Sequence, residues 1–466
     1  MLARPGNPCA PGARTVAGRH HGCPDRPGPP HRRRAEEATV IERPPQREPV
    51  PGSPGAPAPV ATTGRSVLVL DPHADAAATV RQVAGLSDVA DSRDFEPADV
   101  DALGLRQAEA VVFPELGLAV AGLDPDQVAA AGSVVTVTPE LVHHVLPEIP
   151  AGYLAGYRDA VTDLTGRLLD QIGDGQAPGG PAYSDTPQYT WGLQATGVVG
   201  SPRSGRGIRV AVLDTGFDAT HPDFAGRAVT ATSFVPGESP QDGYGHGTHC
   251  VGTACGPRTP AGTRRYGIAY EAEVFVGKVL GDEGSGTDAQ ILAGIAWALR
   301  NGCAVVSMSL GADTPEPSPA YTAAGRRALG QGTLVVAAAG NNADRRQGDV
   351  GFVGAPANSP HVLAVGALQQ DLEVAWFSAR STDTPGGQVD LAAPGIDVYS
   401  SWPMPTRYNT ISGTSMATPH VAGLAALWAE ETGLRGRDLW WALTQAGRRL
   451  TAPSADVGAG LLTAPQ

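Results

Sequence analysis

The chain has 466 residues, a formal net charge of −13, a pI of about 5.3 and 41% hydrophobic residues. A chain of this length is expected to form about three domains, and its apolar content suffices for a large core. The acidic balance argues against nucleic acid as the main partner, because binding phosphates needs a positive surface. The sequence contains no run of about 20 apolar residues of the kind that spans a membrane.

Residues 1–64 are rich in Pro, Gly, Arg and Ala and poor in aromatic residues. Such a segment buries too little apolar surface to offset its ordering entropy, so we predict that it is disordered. Its arginines are not followed by the apolar stretch of a secretory signal, which predicts a cytoplasmic location for the chain as written. Secretion stays open if export is non-classical or if translation starts further along, since no methionine occurs between Met1 and Met308.

Residues 65–147 alternate short apolar runs with helical patterns, which predicts a small α/β domain. Its second helix begins at Asp124-Pro125, a capping residue followed by a proline at the first helical position. The predicted strands cover 66–70, 110–113, 118–121 and 134–138, and the predicted helices cover 74–86 and 124–131.

Residues 148–188 are predicted to connect this domain to the rest of the chain. Apolar residues recur at helical spacing over 151–173, and a Gly/Pro-rich linker follows at 175–181.

Residues 189–466 alternate apolar strands with helical stretches. This alternation predicts an α/β fold with a doubly wound, mostly parallel sheet and helices on both faces. The predicted strands cover 208–213, 274–280, 304–309, 333–338 and 362–365, and the predicted helices cover 287–300, 318–329 and 415–430.

Asp214 ends the apolar strand 208–213 and precedes Thr215-Gly216. A carboxylate at the carboxyl end of a parallel strand lies where α/β proteins form their ligand sites. Taken alone, the residue is more simply a cap or turn residue, and Asp-Thr-Gly also occurs in aspartic proteases.

His246 and His249 lie at the start of a helical pattern. Two histidines three apart suggest a metal site, but the glutamate of the zincin motif does not lie between them. The five cysteines show neither a disulfide framework nor zinc spacing. We therefore predict no metal site among these residues.

Ser415 lies among small residues at the start of an apolar helix, in Gly413-Thr414-Ser415-Met416-Ala417. Glycine lets a substrate backbone approach closely, and a helix N-terminus favours negative charge. The segment lacks the second glycine of the Gly-x-Ser-x-Gly elbow, which argues against an α/β-hydrolase.

Together the three segments resemble the subtilisin-like serine peptidases, over about residues 189–463. The chain order Asp, His, Ser is that of subtilisins and differs from the order in chymotrypsin-like enzymes and α/β-hydrolases. The resemblance implies that Ser415 attacks the peptide carbonyl, His246 takes its proton and Asp214 orients the imidazole. Cys250, just after the His block, resembles the proteinase K-like subgroup.

The resemblance also implies an oxyanion donor and a substrate cleft. Asn341 matches the family asparagine whose side-chain amide donates to the oxyanion. Small residues near Gly340 and Gly354 leave room for a large apolar side chain in the primary pocket, so a broad preference for such residues is expected. Two segments match the edge strands that bind an extended peptide: Ser309, Leu310 and Gly311 on one side, and Gly284, Ser285 and Gly286 on the other.

Residues 65–147 are weakly similar to the family's inhibitory propeptide, most closely over 134–146. We expect a self-processed proenzyme that acts on polypeptides as a monomer and carries its own propeptide as intramolecular inhibitor. Cleavage is expected soon after Leu146 or, with a slight preference, in the linker 175–181.

Many family members hold calcium, but the region 254–265 lacks their Asn-rich ligand run. Asp223 matches one ligand position, and a single carboxylate does not make a site that needs six to eight oxygens. Asp390 could join a weaker cation site, although a structural role is favoured. We therefore expect the chemistry to need no cofactor and leave structural calcium open.

Two other functions stay open. One is a dedicated maturase or cyclase of a single peptide, which the core motifs do not exclude. The other is a catalytically silent scaffold on the same fold, and the presence of Asp214, His246, Ser415 and Asn341 argues against it.

Overall fold

The computed structural model describes residues 60–71, 74–94, 108–146 and 183–466. These residues pack as one compact unit within Pro57–Gln466. The predicted helix at 151–173, the linker at 175–181 and most of the segment 1–64 lie outside the described residues.

The described residues 60–146, here called the N-terminal unit, form a β-sheet with the strand order β5-β1-β4-β3-β2. Neighbouring strands are antiparallel except for the parallel pair β2 and β3. β1 begins at Thr62, before the predicted boundary at residue 65. The strands are β1 (Thr62–Val69), β2 (Val89–Asp91), β3 (Ala110–Phe113), β4 (Leu118–Ala121) and β5 (Thr136–Val145), and the helices are α1 (Ala76–Ala84) and α2 (Pro125–Gly132).

The two faces of this sheet are buried in different ways, because side chains alternate along a strand. Leu68 and Val112 pack with Val80 of α1 in a small core of the unit's own. Val67 and Val111, which point to the opposite face, belong to a larger core shared with helices of residues 183–466.

Residues 183–466, here called the catalytic unit, are built on a sheet with the strand order β17-β18-β14-β13-β12-β10-β6-β8-β7. All neighbours are parallel except β17 and β18. Its strands are β6 (Arg209–Asp214), β7 (Val229–Ser233), β8 (Glu273–Lys278), β10 (Val305–Met308), β12 (Leu334–Ala338), β13 (Leu363–Leu368), β14 (Leu391–Pro394), β17 (Gly447–Arg448) and β18 (Leu461–Leu462).

The remaining strands are short. A hairpin joins β15 (Val398–Ser401) to β16 (Tyr408–Ile411), while β9 (Ser285–Thr287) and β11 (Leu310–Gly311) pair with β5 of the N-terminal unit. The helices are α3 (Trp191–Ala195), α4 (His246–Cys255), α5 (Asp288–Arg300), α6 (Pro319–Gly330), α7 (Thr414–Thr432), α8 (Gly436–Ala446) and α9 (Ser454–Val457).

The central strands are buried on both faces. Val210 and Val212 of β6 pack in one core with residues of α4 and α7, whereas Ala211 and Leu213 pack in the other with α5 and α6. The predicted doubly wound, mostly parallel sheet with helices on both faces is confirmed. Every predicted strand and helix that falls on described residues is present, and most ends are displaced by no more than three positions. The largest difference is at the strand predicted at 134–138, which is observed as the longer β5 and continues to Val145.

Candidate active site

Four parts of the site come from four separate segments that meet at one edge of the large sheet. Asp214 is the last residue of β6, His246 is the first residue of α4, and Asn341 follows β12. Ser415 lies in the first turn of α7. The carboxyl ends of parallel strands share one edge, which brings these distant residues together.

Asp214 and His246 form a direct, fully buried contact. Nδ1 of His246 lies 2.8 Å from Oδ1 of Asp214, which also accepts a hydrogen bond from the backbone N–H of Thr215. Burial disfavours the charged imidazole, but the negative charge of Asp214 outweighs it and raises the pKa of His246 well above its usual value. An ionised carboxylate only accepts, so this contact places the imidazole proton on Nδ1 and leaves Nε2 as the basic atom.

The carbonyl of Ser415 is held by an unusual set of donors. Pro419 lies four residues further along α7 and has no N–H to give to this carbonyl. The Ser309 hydroxyl donates to it instead at 2.7 Å, and the Cys250 thiol lies 3.7 Å from it. The main chain at Ser415 is therefore fixed by side chains from β10–β11 and α4.

The Ser415 hydroxyl does not reach His246 in this structure. It points to the carbonyl oxygen of Ser309 at 3.4 Å, and Nε2 of His246 is buried without a hydrogen-bond partner among the described residues. Hydrogen bonds between nucleophile and base are often loose before substrate binds. A hydrogen bond between the two groups would require a rotation of the Ser415 side chain.

Asn341 is oriented by the start of α7. Its Oδ1 accepts hydrogen bonds from the backbone N–H of Thr414 at 2.9 Å and from the Thr414 hydroxyl at 2.8 Å. This assignment leaves Nδ2 as the donor end of the amide. The arrangement suits two donors, Asn341 Nδ2 and Ser415 N–H, to a developing oxyanion.

Cys250 completes a buried group beside the histidine. Asp214, His246 and Cys250 form the one cluster of three possible metal ligands within the described ranges. Burial raises the pKa of the Cys250 thiol to about 11, so the sulfur stays protonated at neutral pH. A protonated thiol is a poor metal ligand and a poor nucleophile, which favours a packing role for Cys250.

Three other histidines of this unit bind main-chain carbonyl groups. Nε2 of His221 contacts the Arg407 carbonyl, Nε2 of His249 contacts that of Val398, and Nδ1 of His420 contacts that of Met416. Burial lowers the pKa of His249 to about 3 and that of His420 to about 4. The imidazoles of His249 and His420 therefore stay neutral, and all three histidines act in packing.

The carboxylate of Asp223, considered above as one calcium ligand, is saturated by protein donors. It accepts hydrogen bonds from the backbone N–H of Ala261 and from the hydroxyls of Tyr266 and Tyr408. Burial, together with this carboxylate, raises the pKa of Tyr408 to about 12. Tyrosine and amide donors thus hydrogen-bond to the Asp223 carboxylate.

The second predicted cation ligand, Asp390, also faces a protein donor. Its Oδ2 accepts a 2.8 Å hydrogen bond from the backbone N–H of Ala364. Burial raises the pKa of its carboxyl to about 7.

The cleft between β9 and β11 is filled by the end of β5. His144 pairs with Gly311 on one side and with Ser285 on the other, and both pairings are antiparallel. The N–H of Val145 donates to the carbonyl of Gly284 at 2.8 Å. The two predicted edge segments therefore flank one extended chain, although Gly284 and Ser309 lie just outside the strands themselves.

Leu146 follows β5 at the end that faces the candidate catalytic groups. Val145 lies opposite Leu310, so the register puts Leu146 opposite Ser309, whose carbonyl contacts the Ser415 hydroxyl. The Leu146 side chain is buried, and a Cβ on Gly311 would come within 3.1 Å of it. Absence of a side chain at Gly311 thus makes room for a large apolar residue.

Gly340 and Gly354, predicted to line the primary pocket, lie on neighbouring segments. The backbone N–H of Gly354 donates to the carbonyl of Ala339, next to Gly340. Gly340 has a φ of 125°, which favours glycine at the turn between β12 and Asn341.

Some residues of the site carried no sequence signal. Glu140 accepts a hydrogen bond from the N–H of Ala289 at the start of α5, and it pairs with Arg65. Asp288 contacts His143 at 2.7 Å. Neither acid belongs to a local motif, and only the docking of β5 brings them to their partners.

Comparison with known proteins agrees with this geometry. The model of the subtilase family matches residues 205–460. M-protease of Shouchella clausii (strain KSM-K16) is 44% identical over 241 residues, which cover 51% of this chain and 58% of that relative. Subtilisin Savinase of Lederbergia lenta is 44% identical over 241 residues, or 82% of its length, and subtilisin DY of Bacillus licheniformis is 41% identical over 236 residues, or 81%.

The matched region contains all four segments that build the site. Assignment to the proteinase K-like subgroup stays a prediction, whereas the predicted resemblance to subtilisin-like serine peptidases is confirmed. The chain belongs to the subtilase family of serine endopeptidases.

Proposed function

We propose that Asp214, His246, Ser415 and Asn341 are the catalytic groups of this endopeptidase. The observation that carries the proposal is the position of Leu146, which enters the cleft as an extended peptide and ends opposite Ser309, beside Ser415. A substrate bound in the same register presents its carbonyl carbon to the Ser415 hydroxyl.

The reaction follows from the geometry. The Ser415 oxygen attacks the carbonyl carbon while Nε2 of His246 takes its proton, and Asp214 stabilises the imidazolium that forms. Asn341 Nδ2 and the Ser415 N–H donate to the oxyanion. His246 then protonates the leaving nitrogen, which frees the amine and leaves an acyl-enzyme that water hydrolyses. Side chains and backbone supply every group, so the chemistry needs no cofactor.

The N-terminal unit acts in this proposal as an intramolecular inhibitor. Its strand β5 occupies the cleft on both sides, and its sheet packs Val67 and Val111 into the core of the catalytic unit. Main-chain pairing gives affinity without demanding particular side chains. The chain is therefore a proenzyme, whose cleft opens to polypeptide substrates with large apolar residues at the primary pocket once the N-terminal unit is removed.

The residue that follows Leu146 bears on where the precursor is cut. It is Pro147, whose ring replaces the N–H of the leaving nitrogen and fixes its backbone angle. The ring adds bulk at this nitrogen and removes a main-chain donor, so a bond to proline is a poor fit to the site. We therefore propose that β5 stays in the cleft as an uncut segment and that processing falls in the linker 175–181.

The processed enzyme is proposed to act as a monomer on polypeptides, without nucleic acid. None of the helices in the described ranges has the length and apolarity that crossing a bilayer requires. A dedicated maturase or cyclase and a silent scaffold, the two alternatives considered above, are not favoured by the family match.

The test compares wild type with Ser415→Ala and with Ser239→Ala, an exposed serine outside the site. We expect wild type and Ser239→Ala to lose the N-terminal unit and to react with a fluorophosphonate reagent, while Ser415→Ala stays full length and unlabelled. N-terminal sequencing should then find a start within 175–181. If all three chains stay full length and unlabelled, the peptidase proposal fails; a mature start at Pro147 would overturn the linker assignment.

A further inference from the structure

A buried polar contact joins β5 to the catalytic unit within the cleft. Nε2 of His143 lies 2.7 Å from Oδ1 of Asp288, the first residue of α5. The hydroxyl of Tyr321, from α6, lies 3.2 Å from the same nitrogen. The rings of His143 and Tyr321 meet edge-on, with centroids 5.5 Å apart and planes at 84°. All three side chains are buried.

The position of His143 along the cleft is fixed by strand register. His143 pairs with Gly286 of β9, and Leu146 lies opposite Ser309 near the nucleophile. Counting back from Leu146, His143 is the fourth residue before the bond that the site would attack. Asp288 and Tyr321 therefore line the pocket for the fourth residue of a substrate.

We propose that Asp288 and Tyr321 make this pocket selective for histidine at the fourth residue before the scissile bond. The inference rests on the proposed function and deepens it by naming a substrate feature. It concerns peptides that enter the cleft in trans as well as the chain's own segment.

The charge of Asp288 is set by its place in the fold. It occupies the first turn of α5, where the helix dipole favours a negative charge. Its Oδ2 accepts a 2.7 Å hydrogen bond from the backbone N–H of Leu141. Its Oδ1 faces Nε2 of His143 at 2.7 Å, and the carboxylate also has a hydrogen bond with the Tyr321 side chain. Because an ionised carboxylate only accepts, a donor on the substrate side chain adds to its stabilisation.

The shape and polarity of the pocket favour an imidazole. The polar partners lie on one edge of the ring only, since Nδ1 of His143 is buried with no hydrogen-bond partner in the described part of the chain. A neutral imidazole donates from one nitrogen and meets this pattern, whereas a lysine ammonium carries three donors to satisfy. The flat ring of an imidazole also packs edge-on against Tyr321, as observed for His143.

Other side chains fit this pocket less well. An alanine or an aliphatic residue would supply nothing to replace the 2.7 Å hydrogen bond between His143 and Asp288, and the loss of a buried hydrogen bond to a charged group lowers binding by about tenfold or more. A glutamate would place a second negative charge beside Asp288. Burial and the charge of Asp288 hold the pKa of Tyr321 well above its usual value, so its hydroxyl stays neutral.

The experiment uses the processed enzyme and a series of chromogenic peptides that share Ala-Val-Leu before the scissile bond and differ at the fourth residue. The residues compared there are His, Ala, Phe, Lys and Glu, at one alkaline pH. We expect kcat/KM for the His peptide to exceed that for the Ala peptide by about tenfold, chiefly through KM, with the Glu peptide poorest.

Asp288→Asn and Glu283→Gln form a matched pair of variants, because each removes one negative charge and Glu283 is exposed nearby. Asp288→Asn removes the charge that strengthens the hydrogen bond, so it should lower the ratio of kcat/KM for the His peptide to that for the Ala peptide. Glu283→Gln should keep the wild-type ratio. Tyr321→Phe should lower the ratio to an intermediate value. If Asp288→Asn does not accumulate, the wild-type peptide series still decides the question.

Wild-type ratios within about twofold of one across the series would overturn the histidine proposal alone. A preference that survives unchanged in Asp288→Asn would do the same. Failure to cut any peptide, together with no reaction of Ser415 with a fluorophosphonate, would instead overturn the proposed function.

Discussion

The Ser309 hydroxyl donates a 2.7 Å hydrogen bond to the carbonyl oxygen of Ser415, the nucleophile proposed for this enzyme. Ordinarily the N–H four residues along the helix would serve this carbonyl, but that residue is Pro419. A side chain from the strand edge that is proposed to bind substrate therefore also holds the main chain of the proposed nucleophile.

Ser309→Ala should destabilise the protein and slow catalysis. The buried carbonyl of Ser415 would lose the Ser309 hydroxyl and keep the weak Cys250 thiol as a side-chain donor, so we expect the free energy of unfolding to fall by about 1–3 kcal/mol. We also expect kcat to fall more than KM rises. Ser307→Ala is the matched control, because the buried Ser307 hydroxyl has no hydrogen-bond partner within the described residues. Equal urea midpoints for the two variants would contradict this role of Ser309.

The pH profile of hydrolysis should report the pairing of His246 with Asp214. His246 must be neutral to act as a base, and Asp214 raises its pKa well above the usual value. Activity should therefore fall as the pH drops through a pKa above about 6.5. In Asp214→Asn we expect that acid limb to move to lower pH and kcat to drop by about 10⁴-fold. Plots of kcat/KM against pH check both effects, and an unmoved acid limb would assign the titration to another group.

Two substitutions at Asn341 separate its two possible roles. Asn341→Asp keeps an acceptor for Thr414 but loses the amide donor, whereas Asn341→Ala loses both. Loss of one oxyanion donor lowers turnover by about 10²–10³-fold, a magnitude measured on a subtilisin, a member of this chain's family. We expect both variants to show a loss of this size in kcat with little change in KM. Near-normal turnover in Asn341→Asp would mean that the residue only anchors Thr414.

The carboxyl of Asp390 should make stability depend on pH. Its pKa is raised by burial from 3.8 to about 7. At a pH between these two values, the Asp390 carboxyl is therefore ionised in the unfolded chain and protonated in the folded one. Ionisation of the unfolded state therefore lowers the free energy of unfolding as pH rises through this range, and the loss is complete above pH 7. Asp390→Asn should remove this part of the pH dependence.

Urea midpoints at about pH 5 and about pH 8, measured in the Ser415→Ala background to prevent autolysis, test the Asp390 prediction. The difference between the two midpoints should shrink in Asp390→Asn. If added calcium instead stabilises the parent at the higher pH and the effect vanishes in Asp390→Asn, then Asp390 is a cation ligand after all.

The sequence alone determined the fold class and the four candidate catalytic residues. A strand that is buried on both faces has a near-continuous run of hydrophobic residues. The strand at 208–213 could therefore be recognised from its length and composition, which are local properties of the sequence. Asp214, His246 and Ser415 each gave a weak local signal, and their order along the chain turned these signals into one family resemblance.

Only the tertiary structure decided which segment fills the cleft and which side chain occupies the pocket for the fourth residue before the scissile bond. The partnership of His143 with Asp288 joins residues far apart in the chain, and no periodicity or motif marks either of them. The same holds for Ser309 and the Ser415 carbonyl, whose pairing depends on the missing N–H of Pro419. Local patterns specify elements, because propensity and burial act over a few residues. Contacts between elements are set by packing and strand register, which a single sequence does not display.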